Sequence, residues 1–295
     1  MVPYKSVTQP AHHPATQPVP NDSAVTPARW QSLQRFTDAR IALGRAGHSL
    51  PTAAHLTFQL DHAQARDAVH LAFNAQDIAN ALHALSLDAF VLHSAAADRT
   101  TYLQRPDLGR RLDESSRQKL LAWQTQRNAQ PARFDLAFVV ADGLSALAVH
   151  RNAVDLIAAT LKLLRADKQA WTIAPIVVAQ QARVAIGDDA GHALQANLVA
   201  VLIGERPGLS SPDSLGVYLT WAPAVGLTDA SRNCISNIRS AGLAVPAAAQ
   251  KLHHLLTQSR QRQMTGVDLK DDSELHASAV SAPATANFLL APGSA

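Results

Sequence analysis

A chain of 295 residues, 47% of them hydrophobic, is long enough to bury one large core or two modest ones without a disulfide or metal staple. Its single cysteine excludes an intrachain disulfide. No secretory signal opens it and no apolar run nears the roughly 18 residues of a membrane span, so a cytoplasmic protein without membrane association is expected. The net charge of +3 is dilute, and the arginines are scattered among acids rather than gathered in a stripe, which argues against nucleic-acid binding.

Residues 1–26 carry Pro3, Pro10, Pro14, Pro18 and Pro20 among polar residues and read as a disordered arm. Residues 27–85 read as a helical N-terminal region. Its first helix is expected from Pro27 through Trp30, Leu33, Phe36 and Ile41 to Gly44, its second begins at Pro51, and its third covers Ala75 to Leu85. From residue 86 short β-rich runs alternate with long helical ones, the pattern of a parallel sheet covered on both faces. Strands are predicted at 89–92, 136–140, 173–179, 198–203 and 215–221, and helices at 109–126, 144–164, 189–195 and 246–261. The fold class is therefore α/β, a doubly wound and mainly parallel, Rossmann-like sheet preceded by the helical region. Residues 271–295, rich in Ser, Ala and Pro, read as a flexible tail.

Uninterrupted apolar strands such as Leu198–Ile203 belong in the centre of such a sheet, and ligands sit at the carboxyl ends of its strands. Two loops fall there. Gly204-Glu205-Arg206-Pro207-Gly208 combines glycines that permit close approach, a stiffening proline, one acceptor and one fork of donors, which suits a large ligand rich in amides. The same five residues also suit an ordinary strand-to-helix loop with a surface ion pair. Asp142-Gly143-Leu144-Ser145 reads by default as a helix cap, with an anion-binding turn as the alternative.

Other chemistries find little support. Neither phosphate-cradling glycine pattern is present, nor H-E-x-x-H, C-x-x-C or Gly-x-Ser-x-Gly, and the adjacent pairs His12-His13 and His253-His254 point apart, so no protein metal site is expected. Cys234 has no histidine near it in sequence and reads as a packing residue before a nucleophile. The block Arg105-Pro106-Asp107-Leu108-Gly109-Arg110-Arg111 fits either an acidic partner surface or the start of a solvated helix.

Several segments, in order, resemble the small subunit of ethanolamine ammonia-lyases: Gly44–Gly47, Tyr102–Leu112, Asp142–Ser145, Arg183-Val184, Gly204–Leu209 and Arg232–Ile238. Together they cover about residues 28–270. In that family a separate large subunit holds the substrate pocket, and the small subunit helps hold adenosylcobalamin between the two chains. The resemblance implies an ammonia-lyase that converts ethanolamine to acetaldehyde and ammonia by a radical mechanism, with no catalytic residue in this chain. It implies that Val184, Glu205 and Cys234 contact the cobalamin, within a cobalamin-contacting domain at 86–270. It also implies a higher hetero-oligomer with equal numbers of both subunits. The D-x-H-x-x-G pattern of proteins that supply a histidine to cobalt is missing, in keeping with a family whose cofactor keeps its own lower base. Some members carry an N-terminal amphipathic helix for a bacterial microcompartment; the Pro-rich arm cannot form one, so a freely soluble complex is expected instead. The rival readings are a non-catalytic α/β binding or scaffold subunit that has lost the cofactor, and an independent α/β hydrolase or transferase, for which no nucleophile with a base is found.

Overall fold

The computed structural model describes residues 24–37, 39–127 and 133–271. The predicted arm, except its last three residues, and the predicted tail beyond Asp271 lie outside them. Two compact units divide the chain, residues 1–60 and 61–295.

In the first unit the helix expected from Pro27 to Gly44 does not form. Only a 3-10 turn at Gln31–Phe36 is present, after which the backbone takes positive φ at Ala42 (51°) and Gly44 (76°). The Gln34 amide donates to the Ile41 and Ala42 carbonyls at 2.9 and 3.2 Å. A helix draws most of its stability from burying its apolar stripe, and Trp30 and Phe36, which supplied the period, remain 62% and 55% exposed. Without burial the periodicity has nothing to act on. The predicted second helix does form: α1 (Thr52–His70) begins directly after Pro51, whose carbonyl accepts from the His55 amide.

The second unit continues with α2 (Ala75–Ala84), β1 (Ala89–His93), α3 (Arg99–Gln104), α4 (Glu114–Gln126), β2 (Phe134–Ala141), α5 (Ala146–Leu164), β3 (Ile176–Gln180), α6 (Ile186–Ala193), β4 (Ala196–Gly204), β5 (Leu215–Trp221), β6 (Arg232–Ile238) and α7 (Val245–Arg262). The six strands form one sheet in the order β1-β3-β2-β4-β5-β6. Alternate residues of one strand feed two cores. Leu136, Phe138 and Val140 pack with α2, α5 and α7, whereas Ala137, Val139 and Ala141 pack with α4 and α6. Helices thus cover both faces, which explains why β2 and β4 are apolar at nearly every position.

The sheet is mixed rather than parallel throughout. β1, β3, β2 and β4 run parallel, but β5 is antiparallel to β4 and β6 to β5. The cause is connection length: only ten residues, with no helix, join β4 to β5, too few for a crossover back to the same end of the sheet. β6 was not among the predicted strands because its apolar residues do not alternate. The register against β5 slips between Leu215 and Val217, and Asn237 sits in the left-handed region at φ 58°, as a bulge requires. The helix predicted from Gly109 starts five residues later, where the Asp113 carboxylate accepts from the Ser116 amide at 2.7 Å. α3 is too short to show a period; Asp98 caps it through the Thr101 amide at 2.8 Å.

Candidate functional site

The loops leaving β2, β3 and β4 lie side by side at the carboxyl ends of the parallel strands, and one carboxylate joins two of them. Asp142, 2% exposed, accepts at Oδ1 from the Ala182 amide (2.8 Å) and its neighbour Gly143 (3.0 Å), and at Oδ2 from the Gln181 amide (3.1 Å) and Arg99 Nη1 (3.4 Å). Burial pushes its pKa up to about 6, and these donors oppose the rise without cancelling it. Of the two residues that could cap the next helix, Asp142 is therefore a clasp between loops, and the cap expected of this segment falls to Ser145. The cap of α5 is Ser145, which accepts from the Ala148 amide at 3.2 Å and donates to the Pro212 carbonyl at 2.7 Å.

Glycine makes the next contact possible. A β-carbon on Gly204 would lie 2.1 Å from the Ser145 carbonyl oxygen, and one on Gly143 would lie 2.2 Å from the Gly204 carbonyl oxygen. Only two backbones without side chains can approach so closely. This contact sets the exit direction of Glu205, on a loop that leads to another strand and not to a helix. Glu205 Oε2 accepts from Ser214 Oγ (2.5 Å) and the Asn237 amide (3.2 Å), while Oε1 rests over Gly216, where a β-carbon would approach to 2.8 Å. The Glu205 side chain is thereby fixed across the ends of β5 and β6, with Oε1 carrying no bond among the described residues.

Val184 follows the clasped Gln181-Ala182 pair and Arg183. The Arg183 guanidinium lies 4.1 Å from the centre of the Tyr102 ring, whose other neighbour is Arg99 at 4.7 Å. Tyr102 is fully buried, and its hydroxyl, like Arg183 Nε and Gln181 Oε1, has no hydrogen-bond partner among the described residues. Burial raises the Tyr102 pKa, with the Asp142 charge adding to it. Val184, Glu205, Tyr102, Gly143 and Tyr218 line one cleft of about 380 Å³. A second, of about 740 Å³, includes Arg110, Arg111, Asp188 and Arg232 in its wall, and Arg183 and Val184 line both.

Cys234 lines neither cleft. It lies opposite Tyr218 in the β5–β6 register, so it borders the first cleft through that ring. The residue is exposed, yet burial of its sulfur against Tyr218 pushes the thiol pKa up. The Glu205 charge adds to this, and only the Tyr218 hydroxyl opposes it. A thiol held neutral is a poor nucleophile, in keeping with a contact or packing role. Beneath it, Arg232 and Asp188 form a buried pair at 2.8 and 2.7 Å, each 2% exposed or less at the side chain, with Thr220 Oγ1 accepting from Arg232 at 2.9 Å. This pair ties β6 to α6 behind the larger cleft.

Val184 and Glu205 thus meet in one cleft and Cys234 stands one ring away. Sequence reading missed Tyr102, Arg99 and the clasp role of Asp142, because each depends on a partner more than 30 residues distant. Tyr102 and Asp142 were signalled only by membership of the ordered segments, and Arg99, which lies outside them, by nothing. Among the described residues, no three His, Cys, Asp or Glu side chains gather as a metal-binding group, and no helix is long and apolar enough to cross a membrane.

The arrangement defines an α/β protein with a mixed sheet, whose strand-end loops are locked together around clefts that leave buried polar atoms unanswered. Comparison with known proteins makes the class specific. The family described as ethanolamine ammonia-lyase light chain (EutC) matches residues 27–270. Proteins named ethanolamine ammonia-lyase small subunit are similar over nearly their whole length. The one from Pseudomonas aeruginosa (strain UCBPP-PA14) is 53% identical over 92% of this chain and 97% of its own. That from Azotobacter vinelandii is 53% identical, with 92% and 98% covered, and that from Pseudomonas putida (strain GB-1) is 55% identical, with 90% and 96% covered. The chain belongs to the ethanolamine ammonia-lyase light chain family.

Proposed function

We propose that this chain is the cofactor-holding small subunit of an ammonia-lyase acting on ethanolamine, active only together with a large subunit. Family membership supports the enzyme and the need for a partner. The observation that supports cofactor holding is the convergence of Val184 and Glu205 on one cleft at the carboxyl ends of the parallel strands. Ethanolamine ammonia-lyases depend on cobalamin, and the residues present fit an adenosylcobalamin. Tyr102 and Arg183 line the cleft with a hydroxyl and an Nε that lack partners among the described residues, and Oε1 of Glu205 is an acceptor held in place by Ser214.

In this reading Glu205 Oε1 accepts from a corrin side-chain amide, Val184 packs on the apolar face of the macrocycle, and Cys234 makes a small neutral contact. The bound cofactor supplies the radical step by homolysis of its cobalt–carbon bond. This chain orients it and excludes water, while the substrate pocket belongs to the large subunit. We read β1 to β4 and their helices as a doubly wound, Rossmann-like element, with residues 86–270 as the cobalamin-contacting domain. We further propose a cytoplasmic complex of higher order with equal numbers of both subunits.

The test is co-expression with a candidate large subunit, titration with adenosylcobalamin, and assay of acetaldehyde from ethanolamine. Cofactor-dependent acetaldehyde formation is expected. Assembly without cofactor binding would instead identify a scaffold subunit and overturn the proposal.

A further inference from the structure

We propose that Arg183 clasps the phosphodiester in the nucleotide loop of the bound cobalamin. The proposal rests on the cofactor reading above and assigns a contact beyond Val184, Glu205 and Cys234. It starts from an imbalance of charge. In the second unit Arg99 pairs with Asp142, Arg117 with Asp189, Arg151 with Asp213, Arg232 with Asp188 and Arg260 with Asp135. Half-buried Arg183 has no carboxylate partner among the described residues. Its one side-chain bond is from Nη2 to the Tyr102 carbonyl at 3.1 Å, and its Nε is buried without an acceptor.

The side chain is nevertheless fixed. Its backbone amide donates to the Gly109 carbonyl at 2.7 Å, and its Cγ stands 2.9 Å from where a β-carbon of Gly109 would be. The guanidinium is stacked on the Tyr102 ring. Taking a cation partly out of water and holding it still is costly unless an anion answers it. Arg110 and Arg111 line the same larger cleft, while of its three acids Asp107 is engaged by Arg105, and Asp188 and Asp229 both face Arg232. The cleft wall thus has an excess of positive charge centred beside Val184.

Cobalamin chemistry identifies the counter-ion. Its side-chain amides are neutral, and its one anionic group is the phosphodiester of the nucleotide loop. A guanidinium fork matches two phosphate oxygens in a way that a point charge does not. Charge would then divide the work: Glu205 accepts from amides in the smaller cleft, and Arg183, at the junction of the two clefts, donates to the phosphodiester.

The test compares two probes on the assembled two-subunit complex: hydroxocobalamin, and cobinamide, a corrin without the nucleotide loop. Equilibrium binding is followed by the change in corrin absorbance. Arg183→Gln is expected to weaken hydroxocobalamin binding by about 10- to 100-fold, the loss for a hydrogen bond to a charged group, and to leave cobinamide affinity within about twofold. Arg183→Lys, which keeps charge but not the fork, is expected to fall between, and carries the test if the Gln variant fails to assemble. Equal losses for both corrins, or unchanged hydroxocobalamin affinity, would overturn the proposal. So would weakened subunit assembly with normal cofactor affinity, which would assign Arg183 to an acid of the large subunit. Failure of the wild-type complex to bind either corrin would instead remove the cofactor reading on which the proposal stands.

Discussion

The parallel and antiparallel parts of the sheet solve different problems. β1 to β4 are apolar on both faces, and their loops are locked by backbone contact at Gly143 and Gly204 and by one carboxylate, Asp142. β5 and β6 have polar side chains on the face toward α6, including Tyr218, Cys234, Thr220 and Arg232, and are held there by a buried ion pair. The first part presents Val184 and Glu205 from its strand ends, and the second presents Tyr218 and Cys234 from its strands. The comparison teaches that the candidate site residues sit where the regular pattern breaks: at strand ends and on a bulged edge strand.

The comparison breaks most severely at Asp188. Asp188→Ala leaves the Arg232 cation buried without its partner and is expected to cost about 3–5 kcal/mol, read by denaturant unfolding of the small subunit. A loss below about 1 kcal/mol would mean that the antiparallel half does not depend on the pair. Asp142 tests the platform through pH. Its folded pKa of about 6 lies above the ordinary aspartate value of 3.8, so between these values the native state holds a proton that the unfolded state has lost. Stability from this group is present below about pH 4, falls as pH rises towards 6, and is level above it. The advantage of wild type over Asp142→Asn should shrink across that window by up to about 3 kcal/mol; an unchanged difference would contradict the raised pKa.

Smaller effects sharpen the contrast. Glu205→Ala is expected to weaken cofactor binding by about 1–3 kcal/mol in the assembled complex; unchanged affinity would remove Glu205 from the site. Gly216→Ala presses on the Glu205 side chain, since the new β-carbon would lie 2.8 Å from Oε1 and 3.2 and 3.3 Å from Cγ and Cδ. By moving the Glu205 carboxylate it should lower cofactor affinity a few-fold in the assembled complex, read by corrin absorbance. A large stability loss with normal affinity would show that Gly216 serves the strand and not Glu205.

Much of the platform was legible beforehand, because a strand buried on both faces has to be apolar at almost every position. Leu198–Ile203 announced β4, and the glycines after it announced a close approach. The turn of β5 against β4 was not read, although no helix was predicted between residues 203 and 215. β6 was not read either, since a bulged edge strand with Asn233, Ser236 and Asn237 on it has no period to read. Nor did the apolar residues around Trp30 reveal their exposure, for periodicity reports which side chains share a face and not whether anything covers them.

The family and the three expected contact residues came from short ordered motifs, in which chemistry and spacing lie along the chain. What tertiary structure alone decided is how those residues are held: Asp142 as a clasp with Ser145 as the cap, Glu205 oriented by Ser214 and Asn237, and Arg183 stacked on Tyr102 with no carboxylate partner among the described residues. Each is a relation between residues far apart in the chain, and desolvation, which raises one carboxyl and leaves one guanidinium unanswered, exists only once the packing that excludes water has formed.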